Sequence, residues 1–401
     1  MKYLVILADG MADYNIPDLG DKTPLEYAYT PNIDNLARNA EIGLVQTIPA
    51  GLPPGSDVAN LAVMGYDPLK YYTGRSPLEA VSLGVELGDN DLALRCNLVS
   101  LSDEPEYKTK SMIDYSAGEI SSEEARILLA ELQSRLGDSD FSFHAGISYR
   151  HLLVWHNGCS KELILTPPHD ISDRIVGEYL PQGRGSSQLF DLMLKSYEIL
   201  KNHPVNLNRS EKGQKPANSI WLWGEGRRPF LPSFKDKYNL NGSVVCAVDL
   251  VRGLGICAGL TPVRVEGATG SVKTNFAGKA RAALDELKKG QDFVYLHIES
   301  PDEAGHQGNL KSKIWSIEQV DQYILGLLLK ELDDFSQIRV MLLPDHPTPL
   351  SIRTHSSDPV PFLIYDKNKP VKGAGKYDEK SAQRGIFIAK GHNLMDQFIR
   401  G

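Results

Sequence analysis

The chain has 401 residues, of which 41% are hydrophobic and 23% charged, an ordinary globular composition over a length that favours two domains rather than one core. The formal net charge of -8 argues against a nucleic-acid partner, and an anionic substrate would need local arginines or metal ions to hold it. No apolar run approaches the roughly 18 residues of a membrane span, and Asp9 interrupts the N-terminal run too early for a signal peptide, so a cytoplasmic protein without a membrane partner is expected.

The N-terminal part of the chain predicts a buried strand followed by helices. Residues 2–8 form a continuous apolar run that ends at Asp9-Gly10, which is typical of a buried strand. Thr30-Pro31 is typical of a helix start, with Thr30 as the N-cap. A loop rich in proline and glycine, 49–57, then leads into a stretch with helical periodicity.

The middle part of the chain predicts an inserted α/β unit. The strand candidates are LALRCNLVSL (92–101), FSFHAG (141–146), RHLLVWH (150–156) and ELILTPP (162–168). Amphipathic helices are predicted over 121–137 and over 187–204, where Pro204 would end the second helix. The polar stretch 208–218 is typical of a linker, so the predicted domains are a core of 1–90 with 215–401 and an insert of 91–214.

The C-terminal part predicts further strands alternating with helices. The strand-rich stretches are 219–226, 242–259, 262–266, 292–300, 338–346 and 360–365. Helices are predicted over 273–290 and 314–335. This alternation predicts an α/β fold with a mainly parallel sheet and helices on both faces.

Three of the predicted strands end in residue types that bind metal ions. Asp9 follows the first strand, FVYLHIESPDEAGH leads to Asp302 and His306, and VMLLPDH ends at Asp345-His346; His355 follows shortly afterwards. Each residue alone has an ordinary interpretation, a turn or cap for Asp9 and a surface pair for Asp302 and His306. Because the carboxyl ends of parallel strands meet at one sheet edge, we expect these carboxylates and imidazoles to converge, a donor set suited to manganese or zinc rather than calcium.

Ser56 is the candidate nucleophile. It follows Pro-Pro-Gly and precedes the helical stretch, so its hydroxyl would lie beside the unpaired N–H groups and the positive end of a helix, a position that suits a phosphate. The alternative is that Ser56 is only an N-cap.

The order of these residues resembles the alkaline phosphatase superfamily and, within it, the archaeal-type cofactor-independent phosphoglycerate mutases. The motifs that carry the resemblance extend over nearly the whole chain: DGMAD (9–13), TPLEYA (23–28), TPNID (30–34), PPGSDVANLAVMGYDP (53–68), AGEISSEEA (117–125), ANSIWLWGEG (217–226), EGATGSVKTN (266–275), PDEAGH (301–306), LLPDHPTP (342–349) and THSSDPVP (354–361).

The resemblance implies a two-metal phosphotransfer enzyme of glycolysis that needs no bisphosphoglycerate. It implies two divalent ions, Mn²⁺ in first place with Zn²⁺ or Mg²⁺ as alternatives. Asp302, His306 and His355 would hold one ion, and Asp9, Ser56, Asp345 and His346 the other. Ser56 would be phosphorylated transiently, while closure of the insert over the site would exclude water.

Candidates for binding a small phosphorylated substrate are mainly arginines, since guanidinium groups bind phosphate and carboxylate in pairs of hydrogen bonds. They are Arg75, Arg95, Arg150, His151, His169, Arg252 and Lys273, with Arg252 also a candidate catalytic residue. Arg75 and Arg252 are the preferred pair. A monomer or small homo-oligomer is expected.

Some stretches depart from the mutase pattern. Pro347 follows Asp345-His346 where the family more often has serine, and TPPHDI (166–171) and SIWLWGEGRRPFLPSF (219–234) resemble a branch proposed to contain homoserine kinases. Homoserine phosphorylation on the same metal centre is therefore the alternative function. A phosphatase or phosphopentomutase would use the same centre, and a non-catalytic metal-binding protein would share the fold.

Overall fold

The computed structural model describes residues 1–159 and 162–401. Its strands are β1 (Lys2–Ala8), β2 (Ala40–Val45), β3 (Leu92–Leu101), β4 (Met112–Asp114), β5 (Phe141–Ile147), β6 (Arg150–Trp155), β7 (Ser219–Gly226), β8 (Gly242–Val245), β9 (Thr261–Val263), β10 (Phe293–Ile298), β11 (Ile338–Leu343), β12 (Val360–Asp366) and β13 (Ile386–Ile388).

The helices alternate with these strands along much of the chain. They are α1 (Pro24–Tyr27), α2 (Pro31–Ala37), α3 (Ser56–Val63), α4 (Pro68–Tyr71), α5 (Ser76–Ser82), α6 (Ser122–Leu136), α7 (Ser186–Leu200), α8 (Pro204–Glu211), α9 (Phe234–Tyr238), α10 (Asp249–Cys257), α11 (Phe276–Lys288), α12 (Ser300–His306), α13 (Leu310–Gln319), α14 (Gly326–Glu331), α15 (Glu379–Ala382) and α16 (Asn393–Arg400). A π-helical stretch, Val320–Leu325, joins α13 to α14. Within the described ranges, no helix is both long and apolar enough to cross a membrane.

The chain divides into two compact units, Met1–Tyr72 with Phe230–Gly401 and Thr73–Pro229. The boundaries therefore lie outside the predicted insert of 91–214. The physical reason is pairing with β3: strand β7 pairs with it from Ala93 to Val99, and Ala80 of α5 packs in a small core with Ala93. Both α5 and β7 belong to the inserted unit for this reason.

The first unit contains an eight-stranded sheet in the order β13-β2-β12-β11-β1-β10-β8-β9. The pairs of β12 with β11 and β2 are antiparallel, and the other five pairs are parallel. Alternate residues of β1 pack on opposite sides: Leu4 and Ile6 join the core formed with α2, α11 and α13, while the Tyr3 ring contacts Phe398 of α16. The predicted α/β class, with a mainly parallel sheet between layers of helices, is confirmed.

The second unit contains a smaller antiparallel sheet, β4-β3-β6-β5, with β7 paired to β3. Helices α6 and α7 pack on it through residues such as Leu128 and Leu192. Ser121 caps α6, because its side chain accepts a hydrogen bond from the Glu124 N–H.

Four local predictions were wrong. Residues 162–168 form no strand, since Pro167 and Pro168 lack the N–H groups that a ladder needs. Pro204 begins α8 instead of ending α7, which already ends at Leu200, and α8 takes up the first part of the predicted linker. The apolar stretch after β8 forms helix α10 rather than a strand, and Gly255 lets this helix approach β8, since a Cβ there would lie 2.5 Å from Val244 Cγ1.

A carboxyl group at the start of α15 supplies a pH-dependent contribution to stability. Glu379 accepts hydrogen bonds from the Asp13 N–H at 3.2 Å and the Thr23 hydroxyl at 2.6 Å. Burial raises the pKa of Glu379 to about 7, although the Thr23 hydrogen bond opposes the shift. The folded protein therefore binds this proton more tightly than the unfolded chain, and the stabilisation is lost as the pH rises from about 4.5 to above 7.

We expect Glu379→Gln to remove this pH dependence, because the amide keeps the acceptor oxygen and cannot ionise. The shift corresponds to ~3 kcal/mol, and partial exposure reduces the expected value to about 2 kcal/mol. Urea unfolding at pH 5 and pH 8 measures it: the parent protein should lose this much more stability between the two pH values than the variant. Equal losses would contradict the assignment.

Candidate metal centre and nucleophile

The carboxyl ends of three neighbouring strands meet at one edge of the large sheet. Strands β11, β1 and β10 are adjacent and parallel, so the residues that follow them lie together. Asp9 follows β1, Asp345 lies two residues beyond β11, and Asp302 lies in α12, directly after β10. All three side chains are buried. The structure thus brings together the carboxylates that the sequence pattern placed at strand ends.

The first group of candidate ligands surrounds Asp302. His306 Nε2 lies 3.3 Å from Asp302 Oδ2, and His355 Nε2 lies 3.5 Å from Asp302 Oδ1. The two imidazole Nε2 atoms are 2.9 Å apart. His346 also reaches this group, with its ring centroid 4.0 Å from that of His355. Asp302 and His306 converge because they are one turn apart on α12.

The second group surrounds His346. Its Nε2 atom lies 3.1 Å from Ser56 Oγ, 3.5 Å from Asp345 Oδ2 and 3.7 Å from Asp9 Oδ1. Four potential ligand atoms therefore converge around one point, three of them on side chains with no exposed surface, those of Asp9, Asp345 and His346.

Helix α3 positions the Ser56 hydroxyl. Gly55, in an extended conformation, occupies the N-cap position, and Ser56 is the first helical residue. Ser56 therefore does not act as the N-cap. One turn along α3, the Asn60 amide donates to the Ser56 carbonyl at 2.8 Å and to Asp345 Oδ2 at 2.9 Å. This amide connects the helix that carries the candidate nucleophile to a carboxylate of the site.

The pKa values of two carboxyl groups of the site are shifted in opposite directions. Burial, followed by the charges of Asp345 and Glu299, raises the pKa of Asp9 well above its ordinary value. Burial also acts on Asp302, but hydrogen bonds from His306 and His355 outweigh it and hold the pKa of Asp302 well below its ordinary value. The hydrogen bond to Asp302 in turn raises the pKa of His306 to about 9.

These donors fit divalent metal ions. Asp9 Oδ1 is fully buried and has no hydrogen-bond partner among the described residues, although it lies within the second group. The carboxylates of Asp9, Asp345 and Glu299 repel one another electrostatically in a buried site, which a cation would relieve. Mixed carboxylate and imidazole donors are the ligands that manganese and zinc prefer.

Three residues of this site were missed by the sequence analysis. His297 Nε2 lies 3.0 Å from Asp9 Oδ2 and 3.6 Å from Glu299 Oε2. Burial lowers the pKa of His297 to about 3, so the imidazole is neutral. The available signals were a histidine inside an apolar strand and, for Asn60, an amide one helical turn after Ser56.

The two substrate-binding candidates of the first unit have different environments. Arg252, on α10, donates from its guanidinium to Asp249 Oδ1 at 2.6 Å and is largely buried. Lys273 is exposed, in a turn where its carbonyl accepts hydrogen bonds from the Thr269 and Ser271 hydroxyls. Arg252 is therefore fixed in place, whereas the Lys273 side chain is exposed to solvent.

In the second unit, Glu79 holds two candidate arginines side by side. Arg95 donates to both Glu79 oxygens, at 2.8 and 2.9 Å, and Arg75 Nε donates to Oε1 at 3.0 Å. The Arg95 guanidinium lies 4.7 Å from the centroid of the Trp223 ring, and the centroid of the His169 ring lies 5.3 Å from that of Trp223. Arg75, Arg95 and His169 thus belong to one cluster.

Arg150 and His151 are neighbours at the start of β6, but their side chains lie in different environments. The Arg150 guanidinium lies 4.5 Å from the centroid of the Tyr149 ring and is exposed. His151 is buried, and its Nδ1 accepts a hydrogen bond from the Gly146 N–H at 3.0 Å. Burial lowers the pKa of His151 to about 3, so it contributes no positive charge to an anion site.

The chain is similar over its whole length to proteins that carry the same description. The family model for 2,3-bisphosphoglycerate-independent phosphoglycerate mutase matches residues 37–206. A Geobacter sulfurreducens protein described as a probable 2,3-bisphosphoglycerate-independent phosphoglycerate mutase is 50% identical, and a Methanosarcina barkeri protein described as such a mutase is 48% identical; each match covers 100% of both chains.

Two solved structures are also similar to the chain over its whole length. A Pyrococcus horikoshii protein is 30% identical with a TM-score of 0.84, over 100% of this chain and 96% of that one. A cofactor-independent phosphoglycerate mutase from Thermoplasma acidophilum is 26% identical with a TM-score of 0.68, over 100% of this chain and 99% of that one.

Proposed function

Because the chain belongs to the 2,3-bisphosphoglycerate-independent phosphoglycerate mutase family, we propose that it interconverts 3-phosphoglycerate and 2-phosphoglycerate through a phosphorylated Ser56. One observation carries the proposal. Ser56 Oγ lies at the start of α3, 3.1 Å from His346 Nε2 and within a cluster of buried carboxylates and imidazoles. A serine in such a place is a nucleophile whose phosphorylated form is also accommodated, since the start of a helix favours anions.

The proposed reaction consists of two phosphoryl transfers that balance. In the first, a bond forms between Ser56 Oγ and phosphorus while the bond from phosphorus to the substrate oxygen breaks. The proton that Ser56 loses is balanced by the proton that the released substrate hydroxyl gains. Glycerate then turns within the site, and its other hydroxyl takes the phosphoryl group from Ser56 in the reverse sequence, so no bisphosphoglycerate has to be added.

Two divalent ions, which we propose to be Mn²⁺ with Zn²⁺ or Mg²⁺ as alternatives, would neutralise phosphoryl oxygens and favour the Ser56 alkoxide. Asp302, His306 and His355 would hold one ion, and Asp9, Ser56, Asp345 and His346 the other.

Outer residues would keep these ligands in position. His297 Nε2 lies 3.0 Å from Asp9 Oδ2, and the Asn60 amide donates to Asp345 Oδ2, so each carboxyl group has a neutral side-chain partner. Such outer hydrogen bonds orient ligands and affect metal affinity.

We assign recognition of the substrate's negative charges to arginines. Glu79 fixes Arg75 and Arg95 in adjacent positions, and pairing of this kind pre-organises guanidinium groups for phosphate or carboxylate. Arg252, held by Asp249, is the corresponding candidate in the first unit. Arg150, His169 and Lys273 stay secondary candidates, and the buried, neutral His151 would support the strand that carries Arg150.

A phosphotransfer assay with manganese-loaded protein tests the function. We expect conversion of 3-phosphoglycerate to 2-phosphoglycerate without added bisphosphoglycerate, and no phosphorylation of homoserine by ATP. A second assay with homoserine and ATP serves as the comparison. Turnover in the homoserine assay alone would show that the protein is a kinase on the same metal centre and not a mutase. If metal-loaded protein turns over neither substrate, both proposed functions are contradicted.

A further inference from the structure

A buried threonine lies between the two groups of candidate metal ligands. Thr348 has no exposed surface, and its hydroxyl donates a short hydrogen bond to Asp302 Oδ1. The same hydroxyl oxygen lies 3.3 Å from His346 Nδ1. It therefore contacts one ligand from each group, Asp302 from the first and His346 from the second.

The direction of these hydrogen bonds determines which imidazole nitrogen of His346 carries the proton. An ionised carboxylate only accepts hydrogen bonds, so the single hydroxyl proton of Thr348 is directed at Asp302. Towards His346 the hydroxyl oxygen can then only accept, which requires Nδ1 to be protonated. The lone pair of His346 is consequently on Nε2, the atom that faces Ser56, Asp9 and Asp345.

The backbone of Thr348 is fixed by a buried lysine. Lys313 Nζ donates to the Thr348 carbonyl at 2.7 Å, to Asp13 Oδ2 at 2.7 Å and to the Ala12 carbonyl at 3.2 Å. The Thr348 N–H donates to the Ala12 carbonyl at 3.3 Å. The loop after β1 and the loop after β11 are joined at this point, each a few residues from its candidate ligand.

Two glycines of the sequence motifs provide the space that Thr348 occupies. A Cβ at Gly10, in DGMAD, would lie 2.5 Å from Thr348 Oγ1, and a Cβ at Gly305, in PDEAGH, would lie 2.5 Å from the Thr348 carbonyl oxygen. Gly10 also has a φ of +61°, in the left-handed region that favours glycine. Any larger residue at either position would displace the threonine.

We propose that Thr348 is a positioning residue that couples the two ion sites, by holding Asp302 in place and by keeping the His346 Nε2 lone pair directed at the Ser56 site. The proposal rests on the proposed function for its two-ion centre. It assigns to Thr348 an effect on metal binding that can be measured without any turnover.

Isosteric substitution provides the test. Thr348→Val removes the hydroxyl at nearly constant volume, Thr348→Ser retains it, and Thr348→Ala removes it without placing a methyl group against Asp302. Manganese affinity is measured by calorimetric titration of chelator-treated protein, and ligand geometry by the visible absorption of the Co²⁺-loaded protein. We expect Thr348→Val and Thr348→Ala to weaken manganese binding about 10- to 100-fold and to change the cobalt spectrum, while Thr348→Ser restores both.

Thr23→Val is the matched control, because Thr23 is a buried threonine of the same unit that bonds to Glu379 and to no candidate ligand. It should lower stability without changing the manganese affinity or the cobalt spectrum. Parental manganese affinity and an unchanged cobalt spectrum in both hydroxyl-free variants would overturn the proposal. Failure of the mutase function would instead appear as metal-loaded parent protein without turnover, which these binding measurements do not depend on.

Discussion

Substitution of Ser56 by alanine is expected to abolish phosphotransfer, with a loss of at least about 10³-fold in turnover, because the proposed phosphoserine cannot form without the Ser56 hydroxyl. The variant loses one hydrogen bond, between Ser56 Oγ and His346 Nε2, and keeps the backbone contacts of the first helical residue. Folding and most of the metal content should therefore be retained. Turnover of phosphoglycerate, elemental analysis and thermal unfolding together distinguish loss of the nucleophile from loss of the site.

Ser243→Ala is a suitable control for this experiment. Ser243 is fully buried in the same unit, on β8, and its hydroxyl donates to Glu286 at 2.8 Å. We expect the control to keep its activity while losing a comparable amount of stability. Mass spectrometry of acid-quenched parent protein with substrate should find one phosphoryl group on the peptide that contains Ser56. Near-parental turnover by Ser56→Ala would exclude the phosphoserine route.

The strand ends of the site could be predicted because they follow from local pattern and topology. The apolar run of residues 2–8 and that of 338–343 are long enough to identify buried strands, and parallel pairing then places Asp9 and Asp345 at one edge. The helical spacing of Asp302 and His306 adds a third element without any tertiary information.

The outer residues could not be predicted because their roles depend on contacts between distant segments. Asn60 and Asp345 are 285 positions apart, and Lys313 and Asp13 are 300 apart. A histidine within an apolar strand, such as His297, is ordinarily a core residue, and only its distance to Asp9 distinguishes it. Thr348 gives no signal in sequence except that it follows Pro347.

The domain boundaries and helix α10 could not be predicted because tertiary packing determines them. Strand β7 belongs to the inserted unit through its pairing with β3, more than 100 residues earlier, which composition does not reveal. In α10 the apolar residues suit a strand as well as a helix, and tertiary packing decides, since Gly255 allows the helix to lie directly on β8.

Removal of the metal ions is expected to inactivate the enzyme almost completely and to lower its thermal stability. Without cations, the carboxylates of Asp345 and Glu299 face Asp9 in a buried site, and burial first and these two charges second raise the pKa of Asp9. Loss of a stabilising ligand also lowers the melting temperature directly. Treatment with a chelator followed by dialysis should abolish phosphoglycerate turnover, and added manganese should restore it, with two ions per chain by elemental analysis.

A ligand variant makes the same test residue-specific. His355→Ala removes an imidazole from the Asp302 group, so we expect it to bind fewer manganese ions than the parent at equal free metal. His203→Ala is the control, because His203 caps α8 in the second unit through the Val205 N–H and takes no part in the candidate site. Unchanged occupancy in His355→Ala would remove this histidine from the ligand set. Full activity of protein shown to be metal-free would contradict the two-ion centre itself, whatever the fate of the Ser56 prediction, because the phosphoryl group would then be transferred without the two cations that the proposal assigns to it.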